Sequence, residues 1–122
     1  MKKDLPAIQK AYDLAKEVLT RVAKFPRDHK FTLGDRIANN ALSVLELLIQ
    51  AAYTKGKAKP LNEANIRLEQ LRMLLRLSRE LGALSNNSYE HVMGIVVDLG
   101  KQVGGWLKQA GGGDGKDLQE PV

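Results

Sequence analysis

Three arginines in one predicted helix are the residues of this sequence best suited to bind a ligand. Arg72, Arg76 and Arg79 fall within about 60° of one another at about 100° per residue, on the side of the helix opposite Leu74, Leu77, Ser78 and Leu81. Each guanidinium is permanently charged and presents a fork of donors that matches phosphate or carboxylate oxygens. The stripe therefore predicts contact with phosphates or with an acidic protein surface. The alternative is a solvated helix face on which Glu69 and Glu80 form weak ion pairs.

Two further basic groups lie in predicted connections between helices. The loop group consists of Lys55, Lys57 and Lys59. It is either a solubilising loop or a second phosphate contact. The turn group lies within residues 24–36, KFPRDHKFTLGDR, and consists of Arg27, Lys30 and Arg36, with His29 between them. These basic residues have no role in forming the turn itself. They are therefore further candidates for direct contact with a ligand.

The net charge supports a polyanionic partner. The whole chain carries +5 and residues 110–122 carry −2, which leaves +7 on residues 1–109. Such an excess of positive charge favours binding to polyanions, nucleic acid first.

Residues that catalysis and metal binding most often use are sparse. The chain has no cysteine, which removes disulfides, thiolate nucleophiles and Cys-based zinc sites and fits a reducing cytoplasm. His29 and His91 stand in no metal-ligand spacing, and the serines have no nucleophile-elbow context. We therefore expect no catalytic residue, metal or cofactor. The sequence also contains no helix-turn-helix or zinc-finger pattern for sequence-specific reading of DNA.

Apolar residues at helical spacing predict four helices. In the first, the residues expected to face the core are Leu5, Ile8, Tyr12, Ala15, Leu19 and Val22. Pro26 ends this helix, because the residue before a proline is disfavoured in the α region. The second helix begins near Thr32, where Thr32 and Asp35 form a capping-box variant, and it runs to about Lys55.

The second half of the chain gives two more helices. A loop over residues 54–62 leads to the third, which covers about residues 62–81 and ends at Gly82. Its inward residues are predicted to be Leu68, Leu71, Leu74, Leu75 and Leu81. Ser85 is expected to cap the fourth helix. The inward residues of that helix are predicted to be Val92, Ile95, Val96, Leu99, Val103 and Trp106. Gly100 and Gly104 are expected to let it approach a neighbour closely.

Four helices joined by short loops predict an all-α, antiparallel up-down-up-down four-helix bundle over residues 1–109. Residues 110–122, AGGGDGKDLQEPV, have little apolar content and are predicted to be a flexible, glycine-rich acidic tail. In this topology the loop group and the turn group lie at opposite ends of the bundle. No stretch reaches the roughly 18 to 20 apolar residues of a membrane span, and we expect a soluble, cytoplasmic protein with no membrane partner.

The second helix carries more apolar surface than one core needs. Beside its first stripe, which includes Ile37, Val44 and Leu48, runs a second that consists of Leu42, Leu45, Ile49 and Ala52. An apolar arc much wider than about 100° indicates burial on two sides. We hypothesise that the second neighbour is another subunit.

Two segments stand out by the fixed order of their residues. They are FPRDHKFTLGDRI, residues 25–37, and LGKQVGGWLK, residues 99–108. Together they resemble the accessory variability determinant (Avd) family of diversity-generating retroelements, within the wider group of four-helix-bundle proteins encoded in ribosomal-RNA intervening sequences. The resemblance covers about residues 5–109.

This resemblance implies a non-enzymatic bundle, assembled into a homopentameric barrel, that binds the retroelement reverse transcriptase. It also implies binding to RNA and DNA without strong sequence specificity, in support of mutagenic cDNA synthesis and mutagenic retrohoming. The host would be a prokaryotic cell or a phage it carries.

A different class of function remains open, namely a stand-alone helical-bundle adaptor for protein-protein interaction without a retroelement partner. A reverse-transcriptase gene and a template/variable repeat pair beside the gene would favour the retroelement interpretation, and their absence would favour the adaptor. A small helical enzyme with a basic pocket is the least favoured alternative, because no acid/base pair stands out.

Overall fold

The computed structural model describes residues 4–111, with side chains from residue 6, and its architecture is an antiparallel bundle of four long helices. They are α1 (Asp4–Val22), α2 (Asp35–Ala52), α3 (Ala58–Glu80) and α4 (Asn86–Gln109). Each helix packs on the next along the chain, and α4 returns to pack on α1. Within residues 4–111 there is no strand. The predicted four-helix bundle is confirmed.

The core face of α1 differs from the predicted one. Its buried residues are Ala7, Ala11, Leu14, Ala15, Val18 and Val22. Tyr12 and Leu19, expected in the core, are 54% and 44% exposed, so that part of the prediction is wrong. Three of the buried residues are alanines, and they share this face with Leu14, Val18 and Val22. The side chain of Leu5 lies outside the described residues.

The connection from α1 to α2 is itself helical. A single turn, Arg27–His29, leads into a π-helical turn, Lys30–Gly34, that continues directly into α2. The predicted start at Thr32 is wrong, since Thr32 makes no cap and its hydroxyl lies 3.5 Å from the carbonyl oxygen of His29. Pro26 instead precedes the first helical turn, with φ −56° and ψ 149°. A proline suits this position because the first N–H groups of a helix lack intrahelical partners anyway.

Gly34 closes this corner of the bundle by contact with the end of α1. A Cβ atom at residue 34 would lie 2.7 Å from Cγ1 of Val22 and 3.7 Å from the ring of Phe25. All three residues are buried. Packing at this corner therefore explains Phe25, Leu33 and Gly34 of the distinctive segment, all of which are buried.

The two ends of α3 show one error and one success of the sequence reasoning. The helix begins at Ala58, four residues before the predicted start, with Pro60 buried in its first turn. It ends as predicted at Gly82, whose φ of +79° only glycine adopts readily. The N–H of Gly82 donates to the carbonyl of Arg79 at 3.0 Å, and that of Ala83 to the carbonyl of Ser78 at 2.8 Å. This pair of bonds is the Schellman motif.

Two residues beside this turn complete the comparison with prediction. Leu81, expected inside, is 51% exposed and does not belong to the core. Ser85 caps α4 as expected, because its hydroxyl accepts a hydrogen bond from the N–H of Ser88 at 3.1 Å.

The inward residues of α4 are confirmed, with Ile95 partly buried and the others buried. The expected close approach at Gly100 and Gly104 is wrong, because a Cβ atom at either position would meet nothing within 4 Å. Ala110 and Gly111 follow α4, and the rest of the predicted tail lies outside the described residues. Among the helices of residues 4–111, none is long and apolar enough to cross a membrane.

Candidate nucleic-acid interface

The arginine stripe lies on the flank of α3 that faces α4, and Arg79 is anchored there. Its guanidinium carbon lies 4.3 Å from the centre of the Tyr89 ring, in the first turn of α4. This distance is well within the range of a cation–π interaction. Arg79 therefore joins the two helices, whatever else it binds.

Arg72 and Arg76 are held only by ion pairs within α3. Nη1 of Arg72 lies 3.6 Å from Oε1 of Glu69, and Nε of Arg76 lies 3.1 Å from Oε2 of Glu80. All four side chains are more than 40% exposed. Exposed pairs at this spacing contribute about 0.3–0.5 kcal/mol, so they hold the two guanidinium groups only weakly.

A groove between α3 and α4 extends the stripe onto the neighbouring helix. It has a volume of about 330 Å³, and the basic residues that line it are Arg72 and Lys101. Gly100 also lines it and leaves the space open, since no side chain projects there. Lys101 escaped the sequence reasoning, although its position next to Gly100 on α4 was a usable signal.

The loop group has a divided role. Nζ of Lys57 donates a hydrogen bond to the carbonyl of Ala51 at 2.7 Å and so caps the end of α2. Lys55 and Lys59 are exposed, and Lys59 lies in the first turn of α3 instead of the loop. About 20 Å of helix axis separates Lys59 from Arg72. The loop group and the arginine stripe are therefore separate surfaces.

The turn group is also divided by the structure. Arg27 is exposed and Lys30 is half-buried in the helical connection before α2. Arg36 lies one turn further on and lines a different groove, between α2 and α3. It therefore faces the opposite side of α3 from the arginine stripe.

This second groove has a volume of about 530 Å³. It is lined by Arg36, Asn39, Asn40, Arg67, Gln70, Met73 and Leu74. Nη1 of Arg67 donates to Oδ1 of Asn40 at 3.3 Å across the α2–α3 interface. The sequence analysis named only Arg36 as a candidate for binding and Leu74 as a core residue, and it missed the other five. A signal existed, because Asn40 occupies a core-facing position three residues after Ile37.

Polar contacts join α1 to α4 on the far side of the bundle. Arg21 donates through Nε to Glu17 and through Nη1 to the hydroxyl of Ser88, each at 2.7 Å. Nε2 of His91 lies 3.6 Å from Oε1 of Glu17. These contacts fix which flank of α1 faces α4.

Two apolar surfaces remain outside the core. Leu19 lies about 160° around α1 from Arg21, so it points away from α4 and toward the α2 side. We call the first the α1/α2 surface, and it consists of Tyr12, Leu19, Leu42, Leu45 and Ile49. The second, on the outer side of α3, is called the α3 stripe and consists of Ile66, Met73 and Leu77.

The fold and these surfaces define a basic, antiparallel four-helix bundle whose functional groups are chiefly guanidinium and ammonium ions. Within residues 4–111 no cluster of His, Cys, Asp or Glu could hold a metal ion. A protein-family model described as bAvd-like matches residues 7–110, and the chain belongs to this family. The resemblance seen in residues 25–37 and 99–108 is thereby confirmed. Avd-like proteins are in general non-catalytic accessory proteins of retroelements. Comparison with curated proteins gives no match.

Proposed function

We propose that this protein is the accessory subunit of a diversity-generating retroelement and that it binds the reverse transcriptase together with RNA or cDNA through its basic surfaces. The observation that carries the proposal is the family match over residues 7–110. The arginine stripe supports it, because the side chains of Arg72 and Arg76 are exposed and only weakly paired. Phosphate contacts of this kind position a strand without reading its sequence.

Salt dependence tests the nucleic-acid half of this proposal. Neutralising three phosphates of a single strand gives a slope of about −2 in log affinity against log salt, or about a 20-fold loss between about 50 and 200 mM. Fluorescence polarisation of a labelled RNA measures this slope directly. An affinity that does not change with salt would exclude phosphate contacts as the basis of binding.

Paired substitutions of opposite sign locate the contact. Replacing Arg72 and Arg76 with glutamine should weaken RNA binding, because two phosphate partners are lost. Replacing Glu69 and Glu80 with glutamine should strengthen it, because the competing carboxylates are removed. Circular dichroism verifies that helicity is retained in both. If both pairs leave the affinity unchanged, the stripe is not the binding surface.

The reverse-transcriptase half needs a separate measurement. The protein should co-purify with the reverse transcriptase encoded beside its gene after nuclease treatment, which removes bridging RNA. A gene neighbourhood without any reverse transcriptase would favour an adaptor of another system.

We also propose that the protein assembles into a closed homopentameric ring. A ring of more than two subunits joins two different surfaces of each protomer. The α1/α2 surface and the α3 stripe lie on different sides of the bundle and are both exposed in one chain. They therefore meet the requirement for head-to-tail contact.

A further inference from the structure

We propose that the groove between α2 and α3 is a binding site for one nucleotide unit, in which Arg36 and Arg67 hold the phosphate and the base lies against Met73 and Leu74. A nucleoside phosphate of this kind can come from a free nucleotide or from one unit of a nucleic-acid strand. The proposal rests on the proposed function for its biological setting but on different residues from the arginine stripe.

Charge gives the first argument. None of the residues lining the groove is acidic. Neither Arg36 nor Arg67 has a carboxylate within 4.0 Å among the side chains described, those of residues 6–111, whereas Arg72 and Arg76 each have one. The groove thus holds two positive charges without an acidic counterpart. It therefore favours an anionic ligand.

Hydrogen-bonding capacity gives the second argument. Asn40 is only 7% exposed, and its Oδ1 accepts from Arg67. Because a guanidinium can only donate, the partner atom must be the oxygen, which leaves Nδ2 as a donor. Within the described part of the chain Nδ2 makes no hydrogen bond. With the arginines it forms a set of donors suited to phosphate oxygens.

Size and shape give the third argument. A volume of about 530 Å³ is in the usual range of small-ligand sites. Met73 and Leu74 supply an apolar wall for the face of a base, and the amides of Asn39 and Gln70 offer both donors and acceptors to its edge. A simple anion would use only the arginines, whereas a nucleotide uses the whole groove.

Calorimetric titration of the full-length protein with adenosine 5′-monophosphate, uridine 5′-monophosphate, adenosine and inorganic phosphate tests the proposal. A nucleotide should bind at least about tenfold more tightly than adenosine or phosphate alone. Arg67→Gln should weaken nucleotide binding by about tenfold, since a charge-assisted hydrogen bond is lost. Lys16→Gln removes one charge from an exposed position on α1 and should have no effect.

Three results would overturn the assignment. They are a nucleotide that binds no better than phosphate, an equal loss in Arg67→Gln and Lys16→Gln, and chemical-shift changes in the wild-type protein that avoid the groove. Salt-sensitive RNA binding that persists alongside any of these leaves the proposed function intact. Displacement of the mononucleotide by a short single-stranded RNA identifies the strand as the source of the phosphate. Simultaneous binding of both identifies the free nucleotide.

Discussion

At the residue scale, two glycines with similar sequence contexts have opposite meanings. Gly34 has no room for a side chain because Cγ1 of Val22 would lie 2.7 Å from its Cβ atom. Gly100 has nothing within 4 Å of the same position. Space alone distinguishes them, and the helical pattern that surrounds each does not reveal it.

This contrast predicts stabilities of opposite sign. Gly34→Ala should destabilise the fold, because overpacking against the stiff side chain of Val22 costs about 1–3 kcal/mol. The better helix propensity of alanine offsets up to about 1 kcal/mol of this cost. Gly100→Ala should stabilise by up to about 1 kcal/mol. Thermal unfolding at one fixed protein concentration measures both. A higher melting temperature for Gly34→Ala would show that the corner relaxes without strain.

The candidate site was only partly accessible from the sequence. Helical spacing placed Arg72, Arg76 and Arg79 on one flank of the helix. It could not show that Arg79 packs on Tyr89, because Tyr89 comes from another helix. Arg67 and Asn40 were missed because their contact crosses between α2 and α3. The net charge of the sequence predicts a preference for polyanions. A groove between two helices cannot be predicted in the same way, because it forms only when the helices pack together.

At the element scale, the stop and start signals of the helices were read best where a single residue sets the geometry. Gly82 and Ser85 were identified correctly because a positive φ and a side-chain cap each have few alternatives. The start of α2 was misplaced because the π-helical turn Lys30–Gly34 continues the helix through Thr32. The core face of α1 was predicted wrongly because alanine is only weakly hydrophobic, yet three alanines are buried on this face.

The loop group gives a prediction at this scale. Lys57→Met should lower the free energy of unfolding by about 1 kcal/mol, since the hydrogen bond to the carbonyl of Ala51 at the end of α2 is lost. Lys59→Met should change it by less than about 0.5 kcal/mol, as expected for an exposed residue. Urea unfolding compares the two variants. Equal stabilities would mean that the cap contributes nothing.

At the scale of the whole molecule, the two exposed apolar surfaces are the ones that we propose to join copies of the chain. In the second apolar stripe of α2, Leu42, Leu45 and Ala52 are half-buried and Ile49 is exposed. Burial of this stripe against another subunit stays a prediction. The α3 stripe was not predicted, because arginines separate Ile66, Met73 and Leu77 in the sequence and the apolar pattern is therefore hard to see. In the proposed ring, the proposed nucleotide groove would lie near a boundary between subunits, because Met73 belongs both to its lining and to the α3 stripe.

Mixing two variants tests a head-to-tail ring. Leu19→Glu on the α1/α2 surface and Leu77→Glu on the α3 stripe should each give monomers, because either one removes half of every contact. A mixture of the two variants should give heterodimers, because the intact α3 stripe of one variant can bind the intact α1/α2 surface of the other. Neither partner then has a second intact surface with which to add a further subunit. Light scattering at micromolar concentration measures the masses. A monomeric wild-type protein, or variants that remain pentameric, would contradict this assembly.

The corner formed by Phe25 and Gly34 makes the two ends of the bundle differ in their connections. There the chain passes from α1 to α2 through helical turns in which Gly34 has no room for a side chain, whereas residues 53–57 at the other end are a loop in which Lys57 donates a hydrogen bond to the carbonyl of Ala51. A polyanion lying along the bundle would therefore meet positive charges carried by helical turns at one end and by a loop at the other.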